Sequence, residues 1–145
     1  MATKKQVENL CMAYSIMAGI PAERIDLDVL RRYRREQSII NDEDLLQGCG
    51  NVACVGGWLS AHPYFQAQGL RYETSGMVTL NRRAVLWDVS CELFGTGIIF
   101  SAAYQHPAAQ KHEALERIRY ALLRVGAITP ERDDELAQEE KEMTC

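Results

Sequence analysis

The chain has 145 residues, of which 47% are hydrophobic and 25% charged, with a formal net charge of −4. Such a composition fits one globular domain large enough for a single core and argues against a disordered chain. It contains no run of about 18 apolar residues, so no membrane span is expected.

At the N-terminus, Gln6, Glu8 and Asn9 interrupt any signal-peptide core behind Lys4 and Lys5. The five cysteines are odd in number and irregular in spacing, so reduced thiols in a cytoplasm are the expected state. Cys145 is expected to be an exposed free thiol.

Helical spacing of Val7, Leu10, Cys11, Tyr14, Met17 and Ala18 predicts a first helix over Lys4 to Ala18, closed by Gly19. A turn at Pro21 to Ile25 follows. A second helix is then expected, capped by Asp26 or Asp28, with Leu27, Leu30 and Tyr33 facing inward. That helix carries Arg31, Arg32, Arg34 and Arg35 around Tyr33, a candidate binding cluster. Arginines neutralise phosphates and a tyrosine stacks on a base, so the cluster admits a nucleic-acid reading. The bland reading is a solvated helix end whose cations suit the negative pole of the dipole. The sequence pI of 5.4 favours the bland reading. Residues 131–145 hold seven acids and two bases, however, so the rest of the chain carries 13 acids and 14 bases and is nearly neutral.

Residues 36–50 read as a loop or short helix tethered by Ile39, Ile40, Leu45 and Leu46. They lead into the most unusual stretch, Cys49-Gly50-Asn51-Val52-Ala53-Cys54-Val55-Gly56-Gly57-Trp58. Asn51 is a good N-cap, and a helix from about Val52 to Ala61 is expected, ended by Pro63. Cys54, Gly57, Trp58 and Ala61 would share one face, a small-residue groove beside one indole. A packing helix is the expected role. A metal or thiol site using Cys49, Cys54, His62 and a distant Cys91 or His106 is the competing one, as is a catalytic thiol at Cys49. Zinc sites show close cysteine pairs in matched sets, and only one wide pair exists here.

The stretch resembles the Cys-Gly-Thr-x-x-Cys-x-x-Gly-Trp signature of small phage and bacterial proteins of unassigned function. The matching residues are Cys49, Gly50, Asn51, Cys54, Gly57 and Trp58, with Asn51 where threonine is commoner. The similarity extends to Leu93-Phe94-Gly95 and a leucine-rich helix near Leu115 to Leu123. The resemblance implies a prokaryotic or phage cytoplasm and no particular activity.

Leu70 to Glu73 and Met77 to Leu80 alternate across Thr74-Ser75-Gly76, which predicts a β-hairpin with glycine in the left-handed position. Its edge could receive a partner strand, although a structural flap is the expected role. Asn81 is expected to cap a helix over Arg82 to Phe94, with Val85, Leu86, Trp87, Val89 and Leu93 as its apolar positions. Gly95 and Gly97 break it. Pro107 suits the first turn of a further helix over Ala108 to Val125, with a stripe of Ala108, Leu115, Ile118, Leu122 and Val125. Glu113 and Arg117 form an exposed pair there, and His112 is expected in solvent. Thr129-Pro130-Glu131 opens a last helix. Its acidic continuation reads as a solubilising tail, frayed or disordered, with a nucleic-acid-mimicking surface as the sharper alternative.

The expected fold is mainly α: a compact bundle of five to six helices with one small β-hairpin at about residues 70–80. Residues 1–130 would form one domain and 131–145 an acidic helix or tail. Asp26/Asp28 and Asp42/Asp44 are explained by capping, and no nucleophile has an evident base. The expectation is a non-enzymatic cytoplasmic protein with no cofactor that binds another protein. Nucleic-acid binding and a metal or thiol site remain as rivals.

Overall fold

The computed structural model describes residues 2–27, 31–32, 41–47, 51–73, 76–101 and 107–143. Among them the helices are α1 (Lys4–Ala18), α2 (Asp42–Gln47), α3 (Val55–Leu59), α4 (Pro63–Gln66), α5 (Leu86–Phe94), α6 (Pro107–Arg124) and α7 (Pro130–Met143). Short strands β1 (Arg31–Arg32), β2 (Val52–Ala53), β3 (Leu70–Tyr72) and β4 (Val78–Leu80) make two antiparallel pairs, β1 with β2 and β3 with β4. The fold is mainly α, as the sequence pattern predicts.

Helix α1 has the expected bounds. Thr3 and Gln6 close a capping box: Gln6 N donates to Thr3 Oγ1 at 3.1 Å, and Thr3 N donates to Gln6 Oε1 at 2.8 Å. The buried face is Asn9, Leu10, Ala13 and Met17, while Cys11 is exposed. Asn9 is satisfied inside by the Leu93 carbonyl, 2.8 Å away, and by Gln68.

The core is one contiguous cluster drawn from α1, α3, α4, α5, α6 and the hairpin. Phe65, Phe94 and Phe100 run through it, with ring centroids 5.9 and 5.6 Å apart along the series. The hairpin pairs Leu70 with Leu80, Arg71 with Thr79 and Tyr72 with Val78. Gly76 takes the left-handed conformation there, with φ of 86°, as the turn chemistry predicts.

Three local expectations are corrected. No single helix spans Val52 to Ala61. Val52 and Ala53 instead pair with Arg31 and Arg32, and the helix begins one residue after Cys54. Two adjacent glycines, Gly56 and Gly57, weaken a long helix here, and α3 stops at Leu59. Pro63 does not merely end it but opens α4 at a first-turn position, with His62 Nδ1 accepting from Tyr64 N as the cap. Second, Arg31 and Arg32 form a strand, not part of a helix, because β2 supplies their backbone partners. Third, Asn81 caps nothing. Asn81 and Arg82 hold a turn with φ of 50° and 74°, and α5 starts only at Leu86.

Candidate interaction surface

The motif singled out in the sequence builds the interior. Asn51, Cys54, Gly57 and Trp58 are all buried. Asn51 Nδ2 donates to the Asp44 carbonyl at 3.0 Å, and its own carbonyl accepts from Arg24 Nε at 3.0 Å. Cys54 takes the cap position predicted for Asn51, its Sγ accepting from Gly57 N at 3.5 Å. Burial pushes the Cys54 thiol up, so it is held as an unreactive thiol. Trp58 is 4% exposed; its Nε1 donates to the Arg24 carbonyl at 2.9 Å, and the Arg24 guanidinium lies over its ring. Cys49 and Gly50 lie outside the described residues. Among the described residues no three His, Cys, Asp or Glu side chains gather into a metal-holding group.

Of the arginine cluster, the structure describes the side chain of Arg31. Arg31 is 5% exposed, and its strand position turns it inward. Its guanidinium donates to the Gly57 carbonyl (3.2 Å) and Ser60 Oγ (2.9 Å), pairs with Asp42 (2.7 Å) and lies 4.0 Å over the Tyr72 ring. Burial lowers its pKa and Asp42 opposes the shift. The Arg31 side chain therefore ties β1 to α2, α3 and the hairpin. Tyr33, Arg34 and Arg35 lie outside the described residues.

The surface that sequence reasoning missed runs from α5 to α6 and α7. Trp87 was expected on the apolar face of its helix but is 58% exposed, as Val85 is at 60%. The buried stripe of α5 is Val89, Ser90, Leu93 and Phe94. Trp87 is not loose. Its indole lies flat on Gly97, where a Cβ would run into the ring. Counting the 3.6-residue period from Leu86 places Trp87 off the stripe, and Gly97 just beyond the helix supplies room for an indole. Those signals were present in the sequence.

Gly97 opens a single 3-10 turn, Gly97–Phe100, whose Ile98 is 39% exposed. Arg117 of α6 fixes this turn, donating to the Ile98 and Ser101 carbonyls at 3.3 and 2.6 Å. The same guanidinium pairs with Glu113 at 3.1 Å; the predicted pair forms, with Arg117 only 10% exposed. Ile98 borders a groove of about 530 Å³ between α6 and α7, whose apolar lining includes Tyr120, Leu123 and Ala137. His112 is exposed as expected and lies 3.2 Å from Glu116 on the groove's rim.

Helix α7 packs against α6 beside this groove, joined to it by ion pairs. Thr129 Oγ1 accepts from Arg132 N, as the capping pattern predicts. Leu136 and Glu140 are buried. Arg119 Nη1 binds Asp133 at 2.8 Å, and Arg119 Nε lies 2.7 Å from Glu140 Oε2 in an ion pair off the line of a hydrogen bond. Burial pulls the Arg119 pKa down, but the Asp133 hydrogen bond and the two carboxylates outweigh it and raise it. The Glu140 pKa is raised by burial, since Arg119 is shared with Asp133 and only partly offsets that cost. Burial and the Glu140 charge push the neighbouring Tyr14 phenol well above its ordinary value.

No family model, curated protein or solved structure matches this chain. No helix among the described residues is long and apolar enough to cross a membrane.

Proposed function

We propose that this protein is a non-enzymatic binding protein that docks another protein on the surface carrying Trp87, Ile98 and Tyr120. One observation carries the reading: a tryptophan 58% exposed yet held in place on Gly97. Tryptophan dominates the energetics of protein interfaces, and a ring already fixed loses little entropy on binding. The resemblance at Cys49 to Trp58 supports a prokaryotic or phage-infected cytoplasm as the setting and a host or viral protein as the partner. Nucleic-acid binding through Arg31 to Arg35 is less favoured, because Arg31 is spent on Asp42, Ser60 and Tyr72.

The test is recovery of partners from a bacterial lysate by the tagged chain, with and without nuclease, for wild type and Trp87→Ala. A stoichiometric protein that survives nuclease and is lost with Trp87→Ala supports the surface. A partner indifferent to Trp87→Ala moves the site elsewhere. Recovery that collapses with nuclease points to the arginines instead.

A further inference from the structure

Within that reading of the surface, which this inference assumes, we infer that the groove between α6 and α7 seats a basic amphipathic helix of the partner protein. Two helices lying side by side leave a furrow that a third helix fills, with apolar anchors at i, i+4 and i+7. The lining is suited to this. Ile98, Tyr120 and Leu123 offer apolar surface, and Ala137 is small enough for close approach. The lining runs along α6 from His112 to Leu123, roughly 16 Å at 1.5 Å per residue, whereas i to i+7 spans roughly 10 Å. Three anchors of one partner helix fit that length.

Charge decides which helix. The arginines of the groove are tucked in, Arg117 at 10% and Arg119 at 6% exposure, and each already faces acids of its own. The exposed rim holds Glu116 at 55% and Asp134, together with Lys141 and His112. Helix α7 as a whole, Pro130–Met143, carries seven acids against two bases. Glu135 and Glu139 extend that negative face beyond the groove, partly matched by Arg132. An acidic helix or a phosphate backbone meets like charge here, and like-charge juxtaposition is strongly unfavourable. Lysines and arginines flanking the apolar anchors meet Glu116 on the α6 side and Asp134 on the α7 side.

The experiment selects binders to the full chain from a display library of helical peptides unbiased in net charge. The expected winners carry apolar residues at i, i+4 and i+7 flanked by Lys or Arg. The best one, synthesised and labelled, should lose affinity at least about tenfold against Glu116→Lys/Asp134→Lys, and weaken as salt rises. Tyr120→Ala should weaken it with charge untouched, and backbone amide shifts on binding should cluster on α6 and α7. Acidic or neutral winners, winners indifferent to the charge reversal, or an empty selection would overturn the inference. So would sedimentation showing a dimer that the reversal dissolves, since the occupant would then be a second copy. A lysate partner lost with Trp87→Ala but retained by the charge-reversed groove sinks this inference alone. Basic winners that need the groove, alongside a lysate partner indifferent to Trp87→Ala, sink the Trp87 reading alone.

Discussion

Arg31→Ala separates the two readings of the arginine cluster. In the structure the guanidinium joins Asp42, Ser60, the Gly57 carbonyl and the Tyr72 face. Removing one partner of a buried ion pair costs about 3–5 kcal/mol. The Asp42 side chain is 45% exposed and regains water when its partner leaves, which puts the cost at the low end, about 3 kcal/mol. For a chain of this length that lowers Tm by roughly 10 °C. Arg31→Lys keeps the charge and loses the fork, so about 1–2 kcal/mol is expected, equivalent to one or two hydrogen bonds. Urea unfolding monitored by circular dichroism measures both. A loss for Arg31→Ala within about 0.5 kcal/mol, the scatter of an ordinary surface change, would refute the structural role. Unchanged stability coupled to lost nucleic-acid binding would make Arg31 a contact residue instead.

Trp58→Ala should cost about 3–5 kcal/mol, because the buried indole leaves a cavity; Trp58→Phe should cost less, chiefly the bond to the Arg24 carbonyl, about 1–2 kcal/mol. Gly97→Ala forces the Trp87 ring off its seat, so partner binding should fall as in Trp87→Ala and tryptophan emission should shift to the red; unchanged emission would mean the ring was never held there. Glu140 has a folded pKa raised above its ordinary 4.5, so the fold tolerates its ionised form less well than the unfolded chain does. Its contribution is fully present below pH 4.5 and is lost as pH rises through the raised value. The difference between wild type and Glu140→Gln should therefore change across that window and be flat above it, as read from unfolding free energies at a series of pH values. A difference that stayed constant over the window would contradict the burial of this carboxylate.

The fold was legible wherever local rules act alone. The bounds of α1, the hairpin with Gly76 and the Thr129-Pro130 start of α7 all follow from periodicity, caps and turn chemistry within a few residues. The buried stripe of α6 was partly legible: Leu115, Ile118 and Leu122 are buried as expected, but Val125 is exposed. Helix α5 was legible in its end, not its start, because the turn at Asn81 and Arg82 delays it. The motif around Trp58 was visible as unusual but not in its shape. A strand of two residues, β2, has too short a pattern to stand out, and its partner lies some 20 residues earlier in the chain.

The sequence by itself determined the class of fold, the apolar faces and the acidic character of the C-terminal helix, since these depend on spacing and composition. Only the tertiary structure decided where the charges go. Arg31 looks like the other arginines of its cluster in a list of residues, but pairing with β2 puts it in a strand and its side chain is buried. Glu140 looks like its neighbours on α7, yet docking against α1 and α6 buries it beside Arg119 and Tyr14. Trp87 looks like core, yet Gly97, ten residues on, offers it a seat on the surface. For Arg31 and Glu140 the deciding partners are distant in the chain, and local pattern carries no information about them.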